Sequence, residues 1–170
     1  MNLSGLGELL PGAPPPVETY YRMVDARYAS AIDETSHTVL HSWRYNPKGE
    51  FGVLYLSVSR DCAYQEKLRQ VHGRREALPA QAVGAFRFHS SRCLDLTAAA
   101  CREKLRVGLG ELTDTADFSA TQAIARQARR IGFEALIAPS AVGGACHSLV
   151  VRVVIARASD MEQQVLAFPR

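Results

Sequence analysis

The sequence predicts one α+β domain, with a mixed, mostly antiparallel sheet flanked by helices. The chain has 170 residues and is 47% hydrophobic. A chain of this size can form one core that buries roughly 70% of its unfolded surface. Strand-like and helix-like segments follow one another without regular alternation. The chain also has no internal repeat and no phosphate-binding glycine motif, which disfavours a doubly wound parallel sheet.

The first seventeen residues are predicted to form a flexible arm outside the domain. Four prolines in "LLPGAPPPV" fix φ and remove backbone donors, which opposes both a helix and a central strand. The globular domain is therefore expected to span residues 18–170.

Two strands and a turn are predicted next. Thr19 to Val24 alternates with a period of two, which places Arg22 beside an aromatic surface. A turn follows at residues 46–49, where Asn, Pro, Lys and Gly occur in succession. Phe51 to Val58 predicts the second strand, with Tyr55 facing away from an all-aliphatic side.

A helix capped by Ser59 is predicted to run to about Val71, with Glu66 roughly opposite its apolar stripe. Further along the chain, the patterns predict strands at residues 82–89, 133–140 and 148–156. They also predict two helices. One spans residues 97–107 and is closed by Gly108, and the other begins with a capping box at Ser119 and ends at Gly132.

Composition excludes several classes of protein. The net charge of +3 is not concentrated in any block, so nucleic-acid binding is not expected. No apolar run approaches the ~20 residues needed to span a bilayer. The four cysteines form no C-x-x-C pair, the histidines are widely spaced, and no signal-like stretch is present. The sequence therefore predicts a soluble protein of the reducing cytoplasm, with no metal site.

The residues that can carry chemistry reduce to Arg44, Tyr55, Glu66 and Ser140, with Arg22 as an accessory. The first three lie eleven residues apart in a loop, a strand and a helix, a spacing that local pattern alone does not distinguish from chance. Taken one at a time, each residue also fits an ordinary surface, packing or turn role.

Three ordered segments resemble a known family: "WRYNPKG", "VLYLSVSRDCAYQEKL" and "FEALIAPSAV". Together they resemble the RES domain, which is named for its Arg, Glu and Ser, over about residues 19–155. The combination is specific, although no single piece is. The resemblance implies a fold like that of ADP-ribosyltransferase toxins. It also implies a toxin of a bacterial toxin–antitoxin pair that degrades NAD, in several members by phosphorolysis.

The resemblance also implies roles for the five residues. Glu66 is expected to stabilise the positive charge that develops on the ribose when the bond to nicotinamide breaks. Arg44 and Arg22 are expected to bind the pyrophosphate of NAD or an inorganic phosphate, because a guanidinium offers paired donors. Tyr55 is expected to stack on nicotinamide, and Ser140 to orient the substrate.

NAD is thus expected as substrate, with inorganic phosphate as co-substrate if cleavage is phosphorolytic, and no cofactor is expected. The expected partner is a cognate antitoxin protein, with no membrane contact, and a homo-oligomer is left open. Two other functions stay open, namely an ADP-ribosyltransferase acting on a macromolecule and a nucleotide-binding module without catalysis.

Two segments depart from the RES pattern. Ser42 and Trp43 stand where two glycines commonly precede the Arg, and Tyr45 replaces a common Trp. Residues 146–148, Cys-His-Ser, lie where members often carry an Asn. The sequence alone leaves the effect of these departures on activity open.

Overall fold

Seven strands form one sheet in this computed structural model, which describes residues 1–9, 19–88, 90, 92–151 and, as backbone, 161–167. The strands are β1 (Thr19–Asp25), β2 (Leu54–Ser57), β3 (Gln81–Phe88), β4 (Cys93–Asp95), β5 (Ala135–Pro139), β6 (His147–Val151) and β7 (Met161–Ala167). Their order in the sheet is β4-β5-β6-β2-β1-β3-β7. Among these strands, β4 and β5 pair in parallel and all other neighbours are antiparallel. The predicted mixed, mostly antiparallel sheet is confirmed.

Five α-helices flank this sheet within the described residues: α1 (Ser36–Leu40), α2 (Arg60–Gln70), α3 (Ala99–Leu105), α4 (Leu109–Thr113) and α5 (Ser119–Arg130). The helix expected after Ser59 is confirmed as α2. The Ser59 side chain accepts a hydrogen bond from the Cys62 backbone N–H (3.1 Å), as an N-cap should. This cap fixes where the helix that carries Glu66 begins.

Two of the predicted helix ends differ from the structure. Arg106 adopts a left-handed conformation (φ 52°) and ends α3, while Gly108 caps the start of α4 instead of closing the preceding helix. The capping box at Ser119 is wrong. Ser119 donates its backbone N–H to Asp117 Oδ1 (2.8 Å), and the Gln122 side chain donates to a neighbouring loop. Tertiary contacts thus replace the local cap.

The strand predictions hold except at their ends. β2 begins at Leu54 instead of Phe51, whereas β1, β3 and β5 fall close to their expected ranges. The β-branched run from residue 148 forms β6 in the interior of the sheet, and its continuation over 152–156 lies outside the described residues.

The prediction of a flexible N-terminal arm is wrong for residues 4–8. Ser4–Glu8 form a short 3-10 helix, and Leu6 is fully buried in the core beside α3. The Asn2 backbone N–H also donates to the Leu105 carbonyl (2.7 Å). Apolar burial therefore holds this segment on the domain, and residues 10–17 of the expected arm lie outside the described residues.

The sheet separates two apolar clusters. One lies on the face covered by α3, α4 and α5 and includes Tyr45, Val53, Leu105, Leu112, Ile124, Leu136 and Val150. The other face is lined by Tyr20, Ile32, Leu54, Leu56, Phe86 and Leu149. A small third cluster of Met23, Ala63 and Val83 lies beneath α2, which packs on β1 and β2.

The apolar cluster covered by α3, α4 and α5 lies on the same side of the sheet as α2. Tyr21 is paired with Ser57, so the side chains of Tyr21, Met23, Tyr55 and Ser57 point to the same face. This is the single residue pair through which β1 and β2 are joined, whereas β1 and β3 share seven pairs. In the part of the chain that the structure describes, every helix is too short or too polar to cross a bilayer.

Candidate active site

The Glu66 carboxylate lies at the centre of a hydrogen-bonded cluster with two serines. The Ser140 hydroxyl donates to Glu66 Oε1 (2.6 Å), and the Ser148 hydroxyl donates to the same oxygen (3.2 Å). Within the described residues, Glu66 Oε2 has no hydrogen-bond partner. We call Glu66, Ser140 and Ser148 the carboxylate–serine cluster. Both serine hydroxyls thus bind the same carboxylate oxygen.

Ser140 is fixed by the turn that follows β5. Its side chain is buried, and its backbone N–H donates to the Cys146 carbonyl (3.1 Å). The Val142 backbone N–H donates to the Ser140 hydroxyl oxygen (3.2 Å). Because the oxygen accepts from Val142, its own proton is free to point at Glu66.

Tyr55 connects this face of the sheet to the loop that carries Arg44. Its hydroxyl accepts a hydrogen bond from the Tyr45 backbone N–H (2.9 Å) and donates one to Asn46 Oδ1 (2.9 Å). Burial raises the pKa of Tyr55 well above its ordinary value, with Glu66 adding to the rise and Arg44 opposing it. Both charged groups therefore act on the same hydroxyl.

Asn46 holds the same loop from the other side. It is fully buried, and its side-chain nitrogen donates to the carbonyls of Thr38 and His41 (2.9 Å for His41). With Tyr55 bound to its oxygen, the Asn46 amide is satisfied at both ends. The loop therefore presents Arg44 from a fixed backbone.

Arg44 binds the segment between α4 and α5. Its Nε and Nη2 donate to the Asp114 carbonyl (3.3 and 2.7 Å), and Nη2 also donates to the Thr113 carbonyl (3.3 Å). The guanidinium lies over the Phe118 ring, 5.7 Å from its centre. No hydrogen bond engages Nη1 within the described residues, so this end of the guanidinium can bind an anion.

The predicted residues fall into two pairs and one exception. Glu66 and Ser140 are in direct contact, and the Tyr55 hydroxyl accepts from the backbone N–H of Tyr45, the residue after Arg44. Arg22 is the exception, because its Nη1 donates to the carbonyls of Ile32 (2.7 Å) and Glu34 (3.1 Å). It points away from the face of β1 that carries Tyr21 and Met23. Arg22 and Arg44 thus bind different parts of the chain, and their expected joint role in binding phosphate stays a prediction.

Sequence reasoning missed three features of the site. Ser148 was noted only as a departure from the RES pattern, and Asn46 only as part of a turn. A disulfide joins Cys62 to Cys146, whereas the spacing of the cysteines had suggested no pair. The two are 84 residues apart, and no local spacing signals such a bond.

Arg44, Tyr55, Glu66 and Ser140 all lie within the three segments that resemble the RES domain. A model of the RES domain matches residues 19–168, most of the chain. The chain belongs to the RES domain family. No curated protein sequence matches it.

One solved structure similar to this RES domain protein is the M. tuberculosis MbcT–MbcA toxin–antitoxin complex. The match has a TM-score of 0.76 and covers 98% of this chain and 91% of that chain, with 18% sequence identity. At this identity the likeness establishes the shared fold.

Proposed function

We propose that this RES domain protein cleaves the bond between nicotinamide and ribose in NAD and acts as a toxin. The observation that carries the proposal is the carboxylate–serine cluster, in which Glu66 Oε1 is held by two hydroxyls and Oε2 is left for substrate. Membership of the RES domain family supports the same reaction.

The reaction requires stabilisation of positive charge on the ribose. As the bond from C1″ to the nicotinamide nitrogen breaks, its electron pair leaves with nicotinamide and the sugar becomes oxocarbenium-like. A fixed carboxylate near the ribose stabilises this charge, and its unbound oxygen can accept a hydrogen bond from a ribose hydroxyl. Ser140 and Ser148 keep Glu66 in place, so little reorganisation is needed during the step.

The nucleophile is inorganic phosphate or water. Attack by a phosphate oxygen on C1″ gives ADP-ribose 1″-phosphate and nicotinamide, and attack by water gives ADP-ribose, nicotinamide and a proton. Arg44 supports the first route, because its Nη1 can hold an anionic oxygen while Nη2 stays on the protein. The same nitrogen can instead bind the NAD pyrophosphate.

We propose that a cognate antitoxin binds this protein, as an antitoxin accompanies the toxin in the M. tuberculosis complex of the same fold. We propose that this protein acts in the cytoplasm, because its proposed substrate NAD is found there.

Product analysis with NAD labelled in both the nicotinamide and the adenine tests the reaction. We expect free nicotinamide together with soluble ADP-ribose or its 1″-phosphate. Label transferred to protein or nucleic acid would identify a transferase instead. Tight binding without turnover would identify a nucleotide-binding module.

Replacing Glu66 by Gln tests the residue. The amide oxygen can still accept from both serines, but the negative charge is lost, so we expect the rate to fall by roughly 10²- to 10³-fold while the fold is kept. Glu103→Gln is the matched control, because Glu103 is an exposed carboxylate on α3. Turnover at the wild-type rate in folded Glu66→Gln protein contradicts the proposed role.

A further inference from the structure

The Cys62–Cys146 disulfide joins two elements that also meet at the carboxylate–serine cluster. Cys62 lies on α2 and Cys146 directly precedes β6, with their Cα atoms 5.6 Å apart. Of the described cysteines, the other two, Cys93 and Cys101, are free and buried. The covalent bond and the Glu66–Ser140 hydrogen bond therefore connect the same helix to the same turn.

On α2, the disulfide and the carboxylate occupy one face. Cys62 precedes Glu66 by four residues, which places the two side chains one above the other along the helix. The main packing of α2 is on β1 and β2. The cystine is thus a separate, covalent link from this helix to the turn after β5.

On the other side, Cys146 is bonded directly to the backbone of Ser140. The Ser140 N–H donates to the Cys146 carbonyl (3.1 Å), and the Cys146 N–H donates to the Gly143 carbonyl (3.2 Å). The turn contains Gly143 and Gly144 at positive φ (83° and 62°), both with open space around them. At these two positions no side chain packs the turn against its surroundings, and the cystine is a covalent link between the turn and α2.

We propose that Cys62 and Cys146 are positioning residues for the Glu66–Ser140 pair, and that their oxidation state controls turnover. This inference rests on the proposed function. In the oxidised protein, the bond holds the turn against α2 and keeps the Ser140 hydroxyl on Glu66 Oε1. In the reduced protein, the turn can move away, and the carboxylate loses one of the two hydroxyls that orient it.

Thiol–disulfide exchange with a small disulfide such as oxidised glutathione interconverts the two states. Cys146 is less buried than Cys62, so its thiolate attacks first and releases one glutathione thiolate. The Cys62 thiolate then attacks the mixed disulfide and releases the second glutathione. Two protein thiols give up two electrons and two protons, and one small disulfide becomes two thiols.

The test compares kcat and KM for NAD in the oxidised protein and after treatment with dithiothreitol. We expect reduction to lower kcat by roughly tenfold to a hundredfold, since small displacements of positioned groups have effects of that size. KM should change far less, and oxidised glutathione should restore kcat. Mass spectrometry of peptides establishes which cysteines are bonded in each state.

Matched variants test whether the change in kcat on reduction comes from Cys62 and Cys146. Cys62→Ser combined with Cys146→Ser should give the low kcat under both conditions, whereas Cys93→Ala combined with Cys101→Ala should keep the full response. Equal kcat in the two thiol states overturns the inference, as does a response that survives in the first variant. Failure of the Cys62–Cys146 bond to form in oxidised glutathione also overturns it.

Two further measurements separate positioning from other causes. Circular dichroism must show that the reduced protein stays folded, because loss of the fold on reduction would make the disulfide merely structural and overturn a positioning role. Amide hydrogen exchange should become faster in residues 140–146 on reduction, and unchanged exchange overturns the inference. This readout needs no NAD, so faster exchange without NAD cleavage would reject the proposed function alone.

Discussion

Replacing Tyr55 by Phe removes one oxygen atom that makes two hydrogen bonds. The lost partners are the Tyr45 backbone N–H and Asn46 Oδ1, each 2.9 Å from the hydroxyl. Tyr45 is 2% exposed and Asn46 is 0% exposed, so water cannot readily replace the missing group. The change therefore leaves a buried donor and a buried acceptor without partners.

The expected loss of stability follows from these two groups. A buried polar group left unsatisfied costs about 1–3 kcal/mol. We expect a decrease of about 3 kcal/mol in the free energy of unfolding for Tyr55→Phe, a value between the bounds for two groups. For a domain of this size, each kcal/mol shifts Tm by roughly 2–4 °C, so the shift should be about 6–12 °C.

Tyr45→Phe is the matched control, because it deletes the same atom from a neighbouring residue. The Tyr45 hydroxyl is buried and has no hydrogen-bond partner within the described part of the chain. Removing it relieves a desolvated polar group, so the variant should be as stable as the wild type or slightly more stable. Urea and thermal unfolding followed by circular dichroism measure both variants.

The comparison can refute the assigned contact directly. Equal losses of stability in the two variants, or a wild-type Tm for Tyr55→Phe, would mean that the Tyr55 hydroxyl does not hold the loop of Arg44. Tyr55 would then be left with only the expected stacking of its ring on nicotinamide.

Arg44→Lys should weaken NAD binding in calorimetric titration, because one ammonium cannot keep the Asp114 carbonyl and also pair with phosphate oxygens. Unchanged affinity would reduce Arg44 to a structural contact of the segment between α4 and α5. Inorganic phosphate should accelerate NAD loss and give ADP-ribose 1″-phosphate in preference to ADP-ribose. A rate that is indifferent to phosphate across millimolar concentrations, with ADP-ribose as sole product, would identify water as the nucleophile. Arg22 is bound to two carbonyls of its own chain, so any phosphate dependence should follow Arg44.

Local signals were sufficient where an element depends on its own sequence. The alternation of β1 and the Ser59 cap of α2 both predicted their elements, because strand facing and capping are set within a few residues. The hydrogen bond between Glu66 and Ser140 could not be predicted from local signals. These residues lie 74 positions apart, and only the ordered RES motifs indicated that they act together.

Long-range contacts account for the failures. Gln122 matched a capping box, but its side chain is held by Ser42 and Trp43, 80 and 79 residues earlier in the chain. No pattern near Arg22 indicated that the carbonyls of Ile32 and Glu34 would bind its guanidinium. A side chain with several polar partners within reach is placed by the assembled fold.

The sheet has a sparsely paired junction between β1 and β2, where one residue pair joins the two strands. On one side of this junction lie β4, β5, β6 and β2, and on the other lie β1, β3 and β7. Within the described residues, Tyr21 and Ser57 are the one ladder pair between β1 and β2. Helix α2 packs on both strands and therefore bridges the junction. Because α2 carries Glu66 while Ser140 follows β5 in the first half, a movement along this junction would change the contact between Glu66 and Ser140.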